Sequence, residues 1–193
     1  MHRQFSVCVY CGARDGDTPV YRQAAEDVGR AIAENQWRLV FGAGEVGLMG
    51  AVARAALDGG AEALGVIPTH LMGRERGMAD LTALIVTETM HERKKVMFMN
   101  ADAVVVLPGG AGSLDEFFEV LTWRQLGLHN KPMVLLNVEG YWDPLLALLR
   151  HVVDQGFAEP RMQSFVTDVP DVASLVTELR AVTEATQVLP KSD

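Results

Sequence analysis

Cysteine is nearly absent from this chain: its 193 residues contain two, Cys8 and Cys11. They form a Cys-x-x-Cys, but a redox motif needs its first thiol at a helix N-terminus, where the thiol pKa falls. Here both lie in an apolar, strand-like run, and their i,i+3 spacing sends them to opposite faces. With no ligand histidine nearby they also make a poor zinc site, and no metal is expected. Long apolar runs are missing as well. Nothing approaches the roughly 20 residues that span a bilayer, and the opening Met-His-Arg-Gln-Phe-Ser has no apolar signal core, so no membrane partner and a cytoplasmic location are expected. Positive charge is scarce: Lys and Arg total 17 against 25 Asp and Glu, a net charge of −8. That balance argues against nucleic acid as a partner, which would want a basic face. Lysine is confined to Lys94, Lys95, Lys131 and Lys191, none of which stands out for a Schiff base, and no cofactor is expected. A Walker P-loop does not occur.

What is present is an ordinary globular composition, 49% hydrophobic, without repeat, low-complexity tract or linker, which reads as a single domain over residues 1–193. Strand-like runs at 5–11, 37–41, 62–67, 84–88, 103–107, 132–138 and 165–169 alternate with helix-like stretches. The helical stretches are 19–32, 48–57, 90–100, 113–128, 142–155 and 171–184. Only 69–80, polar and glycine-containing, lacks a period and reads as an irregular loop over the site. Alternation of this kind predicts a doubly wound parallel sheet, a Rossmann-like three-layer α/β/α domain, with ligands bound beyond the carboxyl ends of its strands.

Two glycine turns stand at such ends and are expected to share one crevice. Residues 103–107, apolar and mostly β-branched, run into Pro108, Gly109, Gly110, Ala111, Gly112 and Ser113. Glycines allow close backbone approach, and the free N–H groups of the next helix suit a phosphate. Glu116 then brings a carboxylate beside the same spot, which a pure phosphate cradle would not want. Ser113-x-x-Glu116 also fits a capping box, in which the glutamate only bonds back to the helix start. The other turn, Gly42-x-Gly44-x-x-Gly47, matches the dinucleotide fingerprint, so an NAD-dependent oxidoreductase has to be weighed. The fingerprint normally ends the first strand, with an acid about 20 positions on at the end of the next; here it ends the second strand, and Glu62 begins its strand. Tight turning and close helix packing explain those glycines as well.

On a helix, Met90, Arg93 and Met97 share one face, which points Arg93 at protein rather than water and asks for an anionic partner such as Glu116. Lys94 and Lys95 read as a solvated charge pair. His91 has no visible orienting group.

Met90-His91-Glu92-Arg93-Lys94 together with Pro108-Gly109-Gly110-x-Gly112-Ser113-x-x-Glu116 resembles the paired signature of the "Lonely guy" (LOG) family of cytokinin riboside 5′-monophosphate phosphoribohydrolases. The likeness extends over most of the chain, through Cys11-Gly12, Gly44-x-Val46-Gly47-Leu48-Met49-Gly50, Gly65-Val66-Ile67-Pro68, Thr122-Trp123-x-Gln125-Leu126-Gly127, Lys131-Pro132 and Gly140-Tyr141. The resemblance implies hydrolysis of the N-glycosidic bond of an adenosine 5′-monophosphate, N6-modified or plain, to free base and ribose 5-phosphate. It assigns catalysis to Arg93 and Glu116, phosphate binding to the turn from Gly109 to Ser113, and ligand contacts to Glu75, Lys94 and Thr122. Ser113 stands where threonine is common and Ala111 where tyrosine is common, while Ala13-Arg14 replaces a pair of small hydroxyl residues; the preferred base is left open. A homodimer is expected from the same resemblance and from the excess apolar surface of 113–128. The competing readings are the oxidoreductase and a non-catalytic nucleotide-binding module in which Glu116 is only a cap.

Overall fold

The computed structural model describes residues 4–72 and 80–188. The described strands are β1 (Ser6–Tyr10), β2 (Arg38–Phe41), β3 (Ala63–Pro68), β4 (Ala83–Thr87), β5 (Ala103–Val106), β6 (Met133–Leu136) and β7 (Val166–Val169). They pair in parallel throughout, in the spatial order β4-β3-β2-β1-β5-β6-β7. The helices are α1 (Pro19–Glu34), α2 (Gly47–Asp58), α3 (Met90–Met99), α4 (Ala111–Gln125), α5 (Asp143–Asp154) and α6 (Val172–Val188). This is the doubly wound arrangement that the alternation predicts.

The central strands read as near-continuous apolar runs because both of their faces are covered; every residue of β1, β5 and β6 is buried. One core layer packs α1, α2 and α6 against one face of the sheet, through Val28, Ile32, Val52, Leu175 and Leu179. The other packs α3, α4 and α5 on the opposite face, through Met97, Phe117, Leu121, Leu145 and Leu149. Cys8 belongs to this second layer and Cys11 to the first, so the two thiols do face opposite ways. Both are free and buried, and burial pushes both thiols well above their ordinary range, which leaves them unreactive.

The chain leaves β1 toward β2 on one side and returns to β5 on the other, so the strand order reverses between β1 and β5. In an open parallel sheet this reversal parts the loops at the carboxyl ends and opens a crevice between them.

Candidate active site

A crevice of about 730 Å³ lies at that reversal. Its walls come from the segment after β1 (Cys11 to Thr18), the turn after β5 (Pro108 to Ser113), the α2 residues Leu48 and Met49, the α3 residues Met90 and Arg93, Asp115 and Glu116 of α4, and Tyr21 and Tyr141. The two loops are bonded together: Gly12 N–H donates to the Pro108 carbonyl at 3.0 Å.

The turn after β5 lines the crevice at the place where the sequence expects a phosphate, but α4 starts earlier than the sequence pattern suggests. Its N-cap is Gly110, in extended conformation (φ −94°, ψ −153°), and the helix runs from Ala111. Ser113 and Glu116 therefore lie inside the first turns, Glu116 is not the partner in a capping box, and the cap reading of this residue falls away. The capping box the structure contains is on α3, where Thr89 accepts from Glu92 N–H at 3.2 Å and the Glu92 carboxylate accepts from Thr89 N–H at 3.2 Å. Gly109 has no room for a side chain, since a Cβ there would lie 2.1 Å from Ser113 Oγ. Behind the turn, the Tyr141 hydroxyl donates to the Gly109 carbonyl at 2.7 Å, and Tyr141 packs edge-on against Tyr21 at a centroid distance of 5.5 Å.

Arg93 is 5% exposed, buried as its helix face predicts. It donates to two carbonyls and a thioether rather than to a carboxylate: Nε to Val66 O at 3.0 Å, Nη2 to Gly42 O at 2.6 Å and Nη1 to Met90 Sδ at 3.9 Å. These bonds hold the guanidinium at the crevice wall and satisfy its desolvated donors. They also explain Gly42, because a Cβ there would sit 2.0 Å from Nη2. Gly47 adopts φ +63° and packs so closely on the loop after β1 that a Cβ would meet Ala13 C at 2.3 Å. Gly44 N–H meets Met49 Sδ at 3.1 Å. Gly42 and Gly47 thus serve close packing, and neither they nor Gly44 belong to the crevice lining among the described residues, whereas Leu48 and Met49 just beyond them do. The expectation of two glycine turns facing one ligand is corrected to one turn that faces it and one that buttresses the wall.

Glu116 is partly buried at the crevice floor. Burial pushes its carboxyl up to about 7; the Arg93 guanidinium opposes that rise, Asp115 adds to it, Lys94 opposes it and Glu119 adds to it. A carboxyl near 7 is poised to exchange a proton near neutrality.

Lys94 departs from its predicted solvated position. It is 5% exposed and lies outside the crevice lining, with Nζ 2.9 Å from Asp115 Oδ2 and 3.0 Å from Glu119 Oε2. Burial alone would lower its pKa, and the contacts with the Asp115 and Glu119 carboxylates override this and raise it. Lys95 is exposed, as expected, and His91 is exposed. Thr122 lies further along α4, outside the crevice lining, and its hydroxyl donates to Phe118 O at 2.7 Å. Ala111 is exposed at the first position of the helix and does not line the cavity either. Glu75 lies outside the described residues.

The motifs did not single out Tyr21, Asp15 or Met90 as wall residues, and Tyr141 entered only as one member of a matched stretch. Tyr21 belongs to no motif in the sequence. Its place at the crevice mouth depends on where the loop after β1 lands.

A parallel α/β domain whose sheet reverses beside a glycine turn, with a buried arginine and a carboxyl near 7 in one crevice, belongs to the Rossmann-like class. Within that class, the family model described as "Possible lysine decarboxylase" matches residues 49–179. Cytokinin riboside 5′-monophosphate phosphoribohydrolase of Rhodococcoides fascians is 47% identical over 91% of this chain and 89% of its own length. Cytokinin riboside 5′-monophosphate phosphoribohydrolase LOG7 of Arabidopsis thaliana is 43% identical over 90% of this chain and 80% of its own. The chain belongs to the LOG family. Among solved structures, the molybdenum cofactor binding protein of Rippkaea orientalis shares the fold with a TM-score of 0.74, at 21% identity, over 95% of this chain and 99% of the other. Among the described residues Lys94, Lys95 and Lys131 all lie outside the crevice lining, so none of the three is placed there for a Schiff base.

Proposed function

We propose that this protein is a nucleoside 5′-monophosphate phosphoribohydrolase that splits the N-glycosidic bond of N6-modified or plain adenosine 5′-monophosphate into free base and ribose 5-phosphate. The observation that carries the reading is the juxtaposition, in one crevice, of an anion-binding turn at a helix N-terminus with a carboxyl near 7 and a fixed arginine. The names of the family relatives support the substrate class.

The 5′-phosphate occupies the turn from Gly109 to Ser113, where the first N–H groups of α4 point outward and the helix dipole favours negative charge. This sets the sugar beside Glu116. In the reaction the C1′–N9 bond breaks with its electron pair passing to the base, positive charge grows on the sugar, and a water oxygen bonds to C1′. The Glu116 carboxylate stabilises that charge and accepts the proton that water loses; the departing nitrogen takes up one proton from solvent and Glu116 returns its own to solvent, so the net change is the addition of one water. Arg93, already held by Val66 and Gly42, places a fixed positive charge beside Glu116 and keeps part of it ionised in spite of its burial.

We further place the protein in the cytoplasm as a homodimer. The support is its acidic composition and the apolar side chains that α4 and the residues after it leave uncovered: Phe118 at 36%, Leu126 at 67% and Leu128 at 69% exposure. Among the described residues no helix is long and apolar enough to cross a membrane.

The test is incubation of the chain with AMP, N6-isopentenyl-AMP and the matching nucleosides, with free base and ribose 5-phosphate followed by chromatography. Release from the monophosphates and not from the nucleosides is expected. Absence of release from either monophosphate, with binding intact, would reduce the protein to a nucleotide-binding module.

A further inference from the structure

We propose that Lys94 is a positioning residue whose buried ammonium ties α3 to α4 and so sets Glu116 against Arg93. The inference rests on the reading of Arg93 and Glu116 as the catalytic pair.

The argument starts from adjacency. Arg93 and Lys94 are consecutive on α3, as Asp115 and Glu116 are on α4. On α3 only Arg93 of its pair lines the crevice, on α4 both Asp115 and Glu116 do, and Lys94 with Asp115 joins the two helices to one another. Arg93 reaches back to carbonyls at the ends of β2 and β3. Lys94 reaches the other way, 2.9 Å from Asp115 and 3.0 Å from Glu119, which sit a helical turn apart and flank Glu116 along α4. The lysine side chain is 6% exposed, against 61% for Asp115 and 23% for Glu119, so the cation is the buried member and the ion triad has low freedom to rearrange. A buried ammonium without partners would be costly, so α3 and α4 are held at the spacing that brings both carboxylates within reach. The same spacing fixes the distance between Arg93 and Glu116. A ligand role for Lys94 is disfavoured by its absence from the crevice lining.

The triad also sets the local field at Glu116. The groups facing that carboxyl are Arg93 and Lys94 from α3, Asp115 and Glu119 from its own helix, and Tyr10 with Cys8 and Cys11 from β1 and its end; Arg14, Asp15 and Asp17 line the same crevice from the loop opposite. Lys94 lowers the Glu116 pKa and Asp115 raises it, so deleting one or the other shifts the carboxyl in opposite directions.

The experiment uses the full chain as wild type, Lys94→Met, Lys94→Arg and Asp115→Asn. The Glu116 carboxyl is titrated by 13C NMR, assigned by its loss in Glu116→Gln, and base release from N6-isopentenyl-AMP is measured from about pH 5 to 9. Lys94→Met is expected to titrate at higher pH than wild type, with kcat lower by about 10- to 100-fold and KM changed by less than about threefold. Asp115→Asn is expected to titrate at lower pH, and Lys94→Arg to return both titration and kcat toward wild type. A rise in KM at constant kcat, with the titration unmoved, would make Lys94 a substrate ligand and overturn the proposal. So would a fall in melting temperature with the titration unmoved, the mark of a packing role alone. Because the titration does not depend on turnover, an inactive wild type would sink the catalytic reading while the NMR shifts still decide the role of Lys94.

Discussion

The burial that suits Glu116 to its proposed catalytic role works against the stability of the fold. A carboxyl near 7 in the folded state and at its ordinary 4.5 in the unfolded one binds more protons folded than unfolded between those values. Its contribution therefore lowers stability as pH rises through that window, by the full amount above it and not at all below 4.5. Glu116→Gln removes the charge and keeps the shape, so thermal or urea unfolding should show a gain of about 1–3 kcal/mol near pH 8 and none near pH 4. A loss of stability at pH 8 would contradict the burial account. Arg93→Lys keeps the charge but loses the fork that meets Val66 and Gly42 together, and base release should fall by roughly 100-fold. The sequence pointed to both residues but misjudged their partners. Ser113-x-x-Glu116 has the spacing of a capping box, and only the extended Gly110, which starts the helix at Ala111, removes it from that role. The burial of Lys94 was equally illegible, because it depends on α4 lying opposite α3 and not on the residues beside it.

At the scale of elements, Gly42 and Gly112 can be told apart by what a methyl group would meet. Gly42→Ala would drive a Cβ into the Arg93 guanidinium, so we expect lost stability together with lost base release. At Gly112, inside α4, nothing lies within 4 Å of such a Cβ, and alanine should leave stability unchanged or raise it by up to about 1 kcal/mol. Equal melting temperatures for the two variants would refute this division of labour. Thr89→Ala should cost about 1 kcal/mol in unfolding experiments through loss of the α3 capping box. Strands and helices were legible because a buried parallel sheet writes itself as apolar runs ended by glycine or proline, and their boundaries moved by only a few residues. The short 3-10 turns at Val138–Gly140 and Pro160–Phe165 were not read separately. The first contains Glu139 at φ +53°, a conformation imposed by its surroundings rather than announced by the residue type.

For the whole molecule, α4 uses Phe117, Val120 and Leu121 for the core and leaves Phe118 at 36% exposure; beyond its end, Leu126 is 67% exposed. Light scattering at micromolar concentration should therefore report a dimer, and Leu126→Asp should shift it toward monomer; a monomeric wild type would count against the uncovered face as an interface. NAD should show no binding in isothermal titration, since Gly42 and Gly47 of the fingerprint are packed against protein and the turn is at the end of β2 rather than at the sheet's reversal. The central claim, that this crevice hydrolyses a nucleoside monophosphate with Glu116 as the group facing the developing charge, is tested most directly by Glu116→Gln. The measurement is kcat for N6-isopentenyl-AMP near pH 8 beside nucleotide affinity in the same preparation. The account predicts a fall in kcat of about 100-fold or more with affinity changed by no more than about threefold. A variant that turns over at the wild-type rate would contradict it.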